Sequence, residues 1–219
     1  MALIHHAQLS PSKSEILAAW VPTQPWAGNP AGLERIGTYR FDDPDGEVGI
    51  ETHLLATTDG RTLQVPLTYR GAPLAGAEDS LVATMDHSVL GPRWVYDACA
   101  DPVYIGALVT TIATGGGAAE LVDADTGVAS TGQVQVAGSG TLGAPVPSID
   151  SLTHSSNATA TAVSAGTVSA GTVEVTVVRT IGVHFGPPGE PKVLTGTWRG
   201  QRTPAMLAVV RPHVGRVNP

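Results

Sequence analysis

The charge and composition of this chain change sharply near its middle, and this change constrains the fold more than any other sequence feature. Residues 1–125 hold 16 of the 19 acidic and 6 of the 12 basic residues, which gives a net charge of −10. Residues 126–219 hold 3 acids and 6 bases, a net charge of +3, and are rich in Gly, Ser, Thr and Val. Three glycines at 115–117 close a helical pattern between the two parts. The sequence therefore predicts two domains, residues 1–118 and 119–219.

The overall composition excludes several classes of protein. With 42% hydrophobic and 14% charged residues, the chain lacks the low hydrophobicity and high net charge of a disordered protein. The net charge of −7 and only two lysines, Lys13 and Lys192, leave no basic stripe for a nucleic-acid backbone. The first residues lack a signal-peptide pattern, and the longest uncharged runs are too polar to span a bilayer. We therefore expect a cytoplasmic protein with neither nucleic acid nor a membrane as partner.

The first domain has the pattern of an α+β fold. Ser12 and Glu15 form a capping-box pattern that predicts a helix through Trp20. Asp101 as N-cap and Pro102 as first helical residue predict a second helix, ending near residue 113. Strand patterns cover residues 2–9, 34–41, 48–57 and 61–70, and either 80–86 or 93–97. This order predicts a curved antiparallel sheet with helices packed on it.

The second domain has the pattern of an all-β fold. Short Val/Thr-rich segments, separated by Gly or Pro, predict strands at residues 119–123, 132–137, 158–164, 172–181 and 205–211. The sequence Val-Ser-Ala-Gly-Thr occurs at 163–167 and again at 168–172. One such duplication is too short for a solenoid. We interpret it as a loop between two paired strands, 158–164 and 173–181.

Residues 86–102 carry the densest group of chemically active side chains. In a catalytic interpretation, Cys99 is a nucleophile, His87 its base and Asp97 the residue that orients the base. In a structural interpretation, Arg93 pairs with Asp97 or Asp86, and Asp101 caps a helix. The structural interpretation is favoured over the catalytic one, because a single cysteine outside a family signature is a weak candidate nucleophile. A third interpretation is a recognition surface for a sugar or a partner protein. Its candidate residues are His87, Arg93, Trp94, Tyr96 and Asp97. The chain has no Cys-x-x-Cys or His-Glu-x-x-His spacing, so we expect no metal site.

Four motifs follow one another in the first domain: Val65–Arg70, Leu81–His87, Trp94–Asp97 and Asp101-Pro102. This ordered set resembles the N-terminal cap domain of maltokinases, and more closely stand-alone cap-like proteins of high-GC actinobacteria. The resemblance covers residues 1 to about 118, and it implies a cystatin-like topology. In maltokinases the cap precedes a bilobal kinase body that phosphorylates maltose with ATP and magnesium in a trehalose–glycogen pathway.

The same resemblance suggests that residues 119–219 are a remnant of the kinase N-lobe. Ser155, Ser156, Asn157 and Thr159 stand where the family has a polar loop over the phosphates, and segments 194–198 and 203–209 stand where later strands would be. The strand lysine that a kinase needs for the phosphates is missing, since residues 173–181 offer only Arg179, and no residues remain for a catalytic lobe. The resemblance therefore implies a pseudoenzyme without ATP or another cofactor.

Three functions follow as hypotheses. The leading one is a non-catalytic accessory or regulatory protein of maltose, trehalose or glycogen metabolism that binds a partner enzyme or a carbohydrate. The second is a non-catalytic subunit that completes a sugar kinase with a separate catalytic lobe, in which case ATP and Mg²⁺ would bind. The third is a small hydrolase that uses Cys99 and His87.

Overall fold

A computed structural model describes residues 2–4, 7–28, 30–130, 132–168, 171–183 and 191–212 of the chain. In the first part of the chain the helices are α1 (Lys13–Trp20) and α2 (Pro102–Thr114), and the strands are β1 (Ala2–Ile4), β2 (Leu9–Ser10), β3 (Leu33–Phe41), β4 (Gly49–Thr57), β5 (Thr62–Arg70), β6 (Leu81–His87) and β7 (Gly91–Asp97). The strands that follow are β8 (Leu121–Asp123), β9 (Ala129–Ser130), β10 (Gln135–Gly138), β11 (Ile149–Ser156), β12 (Ala160–Thr167), β13 (Gly171–Val178), β14 (Lys192–Trp198) and β15 (Gln201–Pro212).

The described strands form two antiparallel sheets of six strands and one small sheet of three. The first sheet has the order β2-β6-β7-β5-β4-β3 and the second has the order β10-β14-β15-β13-β12-β11. In the small sheet, β8 lies between β1, to which it is parallel, and β9. The fold is therefore mostly β, with a curled antiparallel sheet and two short helices, as an α+β cap requires.

Both predicted helix starts are confirmed. The Ser12 hydroxyl accepts a hydrogen bond from the Glu15 amide, and the Glu15 carboxylate accepts one from the Ser12 amide at 2.8 Å. These reciprocal bonds satisfy amides that the first turn of a helix leaves unpaired. The Asp101 carboxylate caps α2 by accepting from the Val103 amide at 3.0 Å, and α2 ends at Gly115, whose φ of +73° favours glycine.

Several strand predictions need correction. The single strand predicted at residues 2–9 is wrong, because β1 and β2 belong to different sheets. Both alternatives for the fourth strand, 80–86 and 93–97, are strands, and they pair with each other as β6 and β7. Strand β11 has no counterpart among the strand segments predicted from residue pattern. It is a polar edge strand whose side chains are mostly exposed, so it lacks the alternation of apolar residues that marks a half-buried strand.

The duplicated sequence at 163–172 forms part of a hairpin, as predicted. Strand β12 pairs with β13 in antiparallel register from Ala160 with Val178 to Thr167 with Gly171. The strands extend into the repeat, so the connecting loop is shorter than the sequence suggested. Val163, Val175 and Val177 from these strands are fully buried or nearly so.

One hydrophobic cluster contains residues from both parts of the chain. Tyr39, Leu54 and Tyr104 from the first part belong to the same buried cluster as Val163 and Leu194 from the second. A smaller cluster lies between α1 and the opposite face of the first sheet and includes Ile16, Leu17, Leu55, Val65 and Val95. The domain boundary near residue 118 stays a prediction. Side chains that precede and follow this boundary in sequence belong to one hydrophobic core.

Backbone hydrogen bonds also join the two parts. The amide of Gln64 in β5 donates to the carbonyl of Arg179 at 2.8 Å, and the amide of Ile181 donates to the carbonyl of Thr62 at 2.8 Å. The side-chain amide of Gln64 donates to the carbonyls of Val178 and Leu207 at 2.8 and 2.9 Å. The second sheet is thereby fixed to strand β5 through its interior strands β13 and β15.

Candidate functional site

A cavity of about 500 Å³ lies on the face of the first sheet that carries α1. We name it the α1 cavity. Its charged and aromatic lining residues are Lys13, Arg40, Phe41, Asp42, Asp43, Glu47, Glu51, Tyr69, His87 and Arg93. A volume of this size falls in the range of roughly 300–1,000 Å³ that holds drug-sized ligands.

A buried carboxylate with two cations forms the floor of the α1 cavity. Glu51 is 5% exposed. Its Oε2 accepts from the Lys13 ammonium and, at 3.0 Å, from Nη2 of Arg40. Side chains alternate between the two faces of a strand, so Glu51 lies on the α1 face of β4 while Ile50 lies on the other. Because the Ser12 cap starts α1 at Lys13, the capping box places the ammonium over Glu51.

The protonation states in this cluster follow from burial and from neighbouring charges. Burial alone would raise the pKa of Glu51, but attraction by His53, Lys13 and Arg40 outweighs it and lowers the pKa to about 2. Burial lowers the pKa of His53 to about 4, although Glu51 opposes that shift. Since His53 is then neutral at pH 7, Lys13 and Arg40 supply the attraction that keeps Glu51 ionised.

Tyr69 and His53 extend the cluster along the sheet. The Lys13 ammonium lies 4.9 Å from the centroid of the Tyr69 ring, a cation–π contact. The Tyr69 hydroxyl is 3.3 Å from Nε2 of His53. His53 is fully buried, and its Nδ1 has no hydrogen-bond partner among the residues that the structure describes. The floor of the cavity thus combines an acceptor, two cationic donors and an aromatic ring.

His87 and Arg93, two of the predicted recognition residues, lie at the rim of the α1 cavity. Nδ1 of His87 accepts from the amides of Val89 and Leu90 at 3.3 and 3.1 Å, which closes the β6–β7 turn. Nη2 of Arg93 donates to the Leu90 carbonyl at 2.7 Å. The structure therefore brings these two residues together, and it adds cavity residues that the sequence did not single out.

The other three predicted recognition residues lie elsewhere. Trp94 and Tyr96 point to the opposite face of β7, where they pack with Leu74, Ala77 and Ala100. The Tyr96 hydroxyl accepts from the Leu74 amide at 2.9 Å, and Tyr96 is 2% exposed. Asp97 is buried at the end of the strand. The five residues therefore do not form one surface.

The buried partner of Asp97 is Arg179, the one basic residue of the strand segment 173–181 that the resemblance compared with a kinase lysine strand. Nη2 of Arg179 donates to both carboxylate oxygens of Asp97 at 2.6 Å, and its Nε donates to the Thr161 hydroxyl at 2.8 Å. Its guanidinium also lies 4.9 Å from the Trp26 ring centroid. Arg179 is fully buried, so its charge is committed to Asp97 rather than to a ligand at the surface.

The catalytic interpretation of Cys99 and the predicted pairing of Arg93 are both wrong. Cys99 is fully buried, and its Sγ lies 3.2 Å from Nη2 of Arg179. Burial raises the pKa of the thiol well above its ordinary value, which disfavours the reactive thiolate. Asp97 bonds Arg179 and the Cys99 amide rather than His87. Among the described residues, Arg93 donates to the Leu90 carbonyl and forms an ion pair with neither Asp97 nor Asp86.

The residues predicted to resemble a phosphate-covering loop form the turn between β11 and β12. Oδ1 of Asn157 accepts from the amides of Thr159 and Ala160 at 2.8 and 3.0 Å. The hydroxyls of Ser156 and Thr161 are 2.8 Å apart. Ser155 is exposed at the end of β11. These polar groups stabilise the hairpin, in the usual manner of an Asx turn.

Sequence reasoning missed Arg40, Glu51 and Tyr69 as cavity residues. One signal was available for Glu51: an acidic residue inside an otherwise apolar strand pattern is rarely fully buried unless it is paired. Nothing in the local sequence shows that Lys13 or Arg40 is the partner, because the ion pairs join α1, β3 and β4 across the tertiary fold.

Among the described residues, no three His, Cys, Asp or Glu side chains are grouped so that they could hold a metal ion. No helix within the described ranges has the length and apolar character needed to cross a membrane.

Comparison with known families gives one match. Residues 20–101 match the model of the maltokinase N-terminal cap domain. No curated protein matches the chain. Apart from Ala7, Leu9 and Lys13, the lining of the α1 cavity lies inside the matched region. The match confirms, for residues 20–101, the resemblance of this chain to the maltokinase N-terminal cap family.

Proposed function

We propose that this protein is a non-catalytic accessory protein of maltose, trehalose or glycogen metabolism that binds a carbohydrate in the α1 cavity. The match to the maltokinase cap supports the link to maltose-related metabolism. The observation that carries the proposal is the floor of the cavity, where Glu51, Lys13 and Arg40 form a fixed set of charged groups beside Tyr69.

The chemistry of this floor suits a hydroxyl-rich ligand. A sugar hydroxyl both donates and accepts, so it can donate to the Glu51 carboxylate and accept from a cationic donor. Hydrogen bonds to ionised groups are roughly twice as strong as those between neutral groups. The Tyr69 ring and Phe41 supply apolar surface beside them.

The proposal that the protein is non-catalytic rests on the burial of the two residues considered for catalysis and for phosphate binding. Cys99 and Arg179 are fully buried. The relation of the second sheet to a kinase N-lobe is a finer proposal, supported by the antiparallel strands β11 to β15 that follow the cap. Because Arg179 is bonded to Asp97, we propose that this sheet does not bind ATP.

Isothermal titration calorimetry with maltose, trehalose and maltotriose tests the carbohydrate proposal. We expect the full chain to bind at least one of these sugars, and Glu51→Gln and Arg93→Gln to weaken binding. Arg61→Gln serves as the control, because Arg61 pairs with exposed Asp59 in a turn outside the cavity. If no sugar binds, or if Glu51→Gln and Arg93→Gln bind as tightly as the unaltered chain, the proposal is wrong.

A thermal-shift titration with ATP and Mg²⁺ separates this function from the kinase-subunit hypothesis. A ligand that binds the folded state raises the melting temperature by mass action. We expect no rise with ATP and Mg²⁺. A dose-dependent rise that is lost in Asn157→Ala, in the turn between β11 and β12, would favour the kinase subunit instead.

A further inference from the structure

Helix α2 carries no charge, and the face that does not enter the core is half-buried rather than exposed. Its 13 residues, Pro102 to Thr114, include no charged side chain. Tyr104, Ile105, Leu108, Val109 and Ile112 are buried in the core. The remaining face carries only small or apolar groups and threonines, whereas the outer face of a surface helix is normally polar and charged.

This outer face forms the floor of a groove of about 720 Å³, which we name the α2 groove. The floor consists of Val103, Gly106, Ala107 and Thr110. The lining also includes Val146 and Ile149, which precede and begin β11, and Pro44 and Ala118. An open apolar groove between protein walls is the shape into which an amphipathic segment packs its apolar face.

The rim of the α2 groove is acidic. Its lining includes four carboxylates, Asp42, Asp43, Asp45 and Glu120, and no Lys, Arg or His. The lining therefore carries four negative charges around an uncharged floor. Complementary charge steers association and selects against partners of the same sign.

We infer that the α2 groove binds a cationic amphipathic segment of a partner protein. Apolar side chains of the segment fill the space over Gly106 and Ala107, and its Lys or Arg side chains reach the carboxylates of Asp45 and Glu120. This inference does not rest on the carbohydrate function proposed for the α1 cavity, and the two are tested by different measurements.

The space over Gly106 is open enough for such an occupant. A Cβ added at Gly106 would meet one atom within 4 Å, Cγ1 of Ile149 at 3.9 Å, which is an ordinary contact. A larger side chain introduced at this position therefore projects into the groove rather than into the core. In the variant Gly106→Leu, the leucine side chain therefore fills part of the α2 groove.

Fluorescence anisotropy with a labelled amphipathic peptide of Leu, Ala and Lys tests the inference at low salt. A peptide with the same apolar face and Glu in place of Lys is the second probe. We expect the Lys peptide to bind and the Glu peptide not to bind. Asp45→Lys with Glu120→Lys should weaken binding by about tenfold, and Gly106→Leu by a similar factor.

Two matched controls distinguish the groove from a general attraction to an acidic protein. Glu34→Lys with Asp79→Lys changes the net charge equally at residues outside the groove and should leave the affinity within about twofold. Gly143→Leu adds the same side chain at an open position outside it and should have no effect. An equal loss in the control pair, or unaltered binding to Gly106→Leu, would overturn the inference. Self-association in sedimentation velocity that Gly106→Leu abolishes would also overturn it, because a second copy would then occupy the groove.

Discussion

The guanidinium of Arg179 and the carboxylate of Asp97, 82 residues apart in sequence, form a buried ion pair in which one nitrogen lies 2.6 Å from each oxygen. Asp97 ends strand β7 of the first sheet, and Arg179 follows strand β13 of the second. The charge of each residue is therefore satisfied only when both sheets are in place.

Replacement of Arg179 by methionine should destabilise the protein strongly. It leaves the Asp97 carboxylate buried without a cation, and breaking a buried pair in this way costs about 3–5 kcal/mol. Urea unfolding followed by circular dichroism measures the change. The double variant Arg179→Met/Asp97→Leu should recover part of the loss, because it leaves no unpaired charge. A single variant within about 1 kcal/mol of the unaltered chain would contradict this account.

Cys99 should react with a thiol reagent only after unfolding. The side chain is fully buried, and burial raises the pKa of its thiol. Labelling with an aromatic disulfide reagent should be slow in buffer and complete in concentrated urea. Rapid labelling of the folded protein would show that the thiol is accessible and would reopen the nucleophile hypothesis.

The Glu51 cluster should make the protein sensitive to acid. The pKa of Glu51 lies below its ordinary value, at about 2, so its contribution to stability is complete above pH 4.5 and is lost as the pH falls toward 2. The pKa of His53 is also lowered, to about 4, so the unfolded state binds its proton first and stability falls between pH 6.5 and 4. The two effects therefore have the same sign, and stability should fall continuously on acidification.

Glu51→Gln removes the part of this pH dependence that lies below pH 4.5, which is the contribution of Glu51. The lowered pKa of Glu51 means that its ionised carboxylate stabilises the folded state at neutral pH. The variant should therefore be less stable at pH 7 and should lose less stability than the unaltered chain between pH 4.5 and 3. Urea unfolding at a series of pH values measures both. Parallel curves for the two proteins would show that Glu51 does not contribute.

Replacement by alanine should change the stability in opposite directions at two glycines, Gly106 in α2 and Gly138 in β10. Gly106→Ala meets no close atom and removes a flexible residue from the helix, so it should stabilise the protein by about 0.5–1 kcal/mol. Gly138→Ala places its Cβ 2.1 Å from the Thr111 carbonyl oxygen, so either strand β10 or α2 must move and stability should fall by about 1–3 kcal/mol. Thermal unfolding of the pair measures both signs. A stable Gly138→Ala variant would mean that β10 does not approach α2 so closely.

The local part of the fold could be predicted from the sequence, and the tertiary part could not. Ser12 with Glu15 and Asp101 with Pro102 act within one turn of chain, so their patterns mark helix starts directly. Strand β11 was missed by pattern because an edge strand with exposed side chains needs no apolar alternation. The charge change near residue 125 is real, but it does not separate the hydrophobic contacts.

The residues of the α1 cavity could also be predicted only where local sequence brings them together. His87 and Arg93 lie close in sequence, and the β6–β7 hairpin keeps them close in space. Tyr96 was assigned to the same surface, but the pleat of β7 turns it to the other face. Lys13 and Glu51 are 38 residues apart in sequence. Their contact depends on how α1 lies across the sheet, which no local pattern records.

The end of β3 and the turn that follows it line both the α1 cavity and the α2 groove. Phe41, Asp42 and Asp43 line the α1 cavity and also the α2 groove. The two proposed sites therefore share one structural element, and a conformational change of it would alter both. If both proposals hold, linkage requires reciprocity: the factor by which a bound sugar changes the affinity for a protein segment equals the factor by which that segment changes the affinity for the sugar.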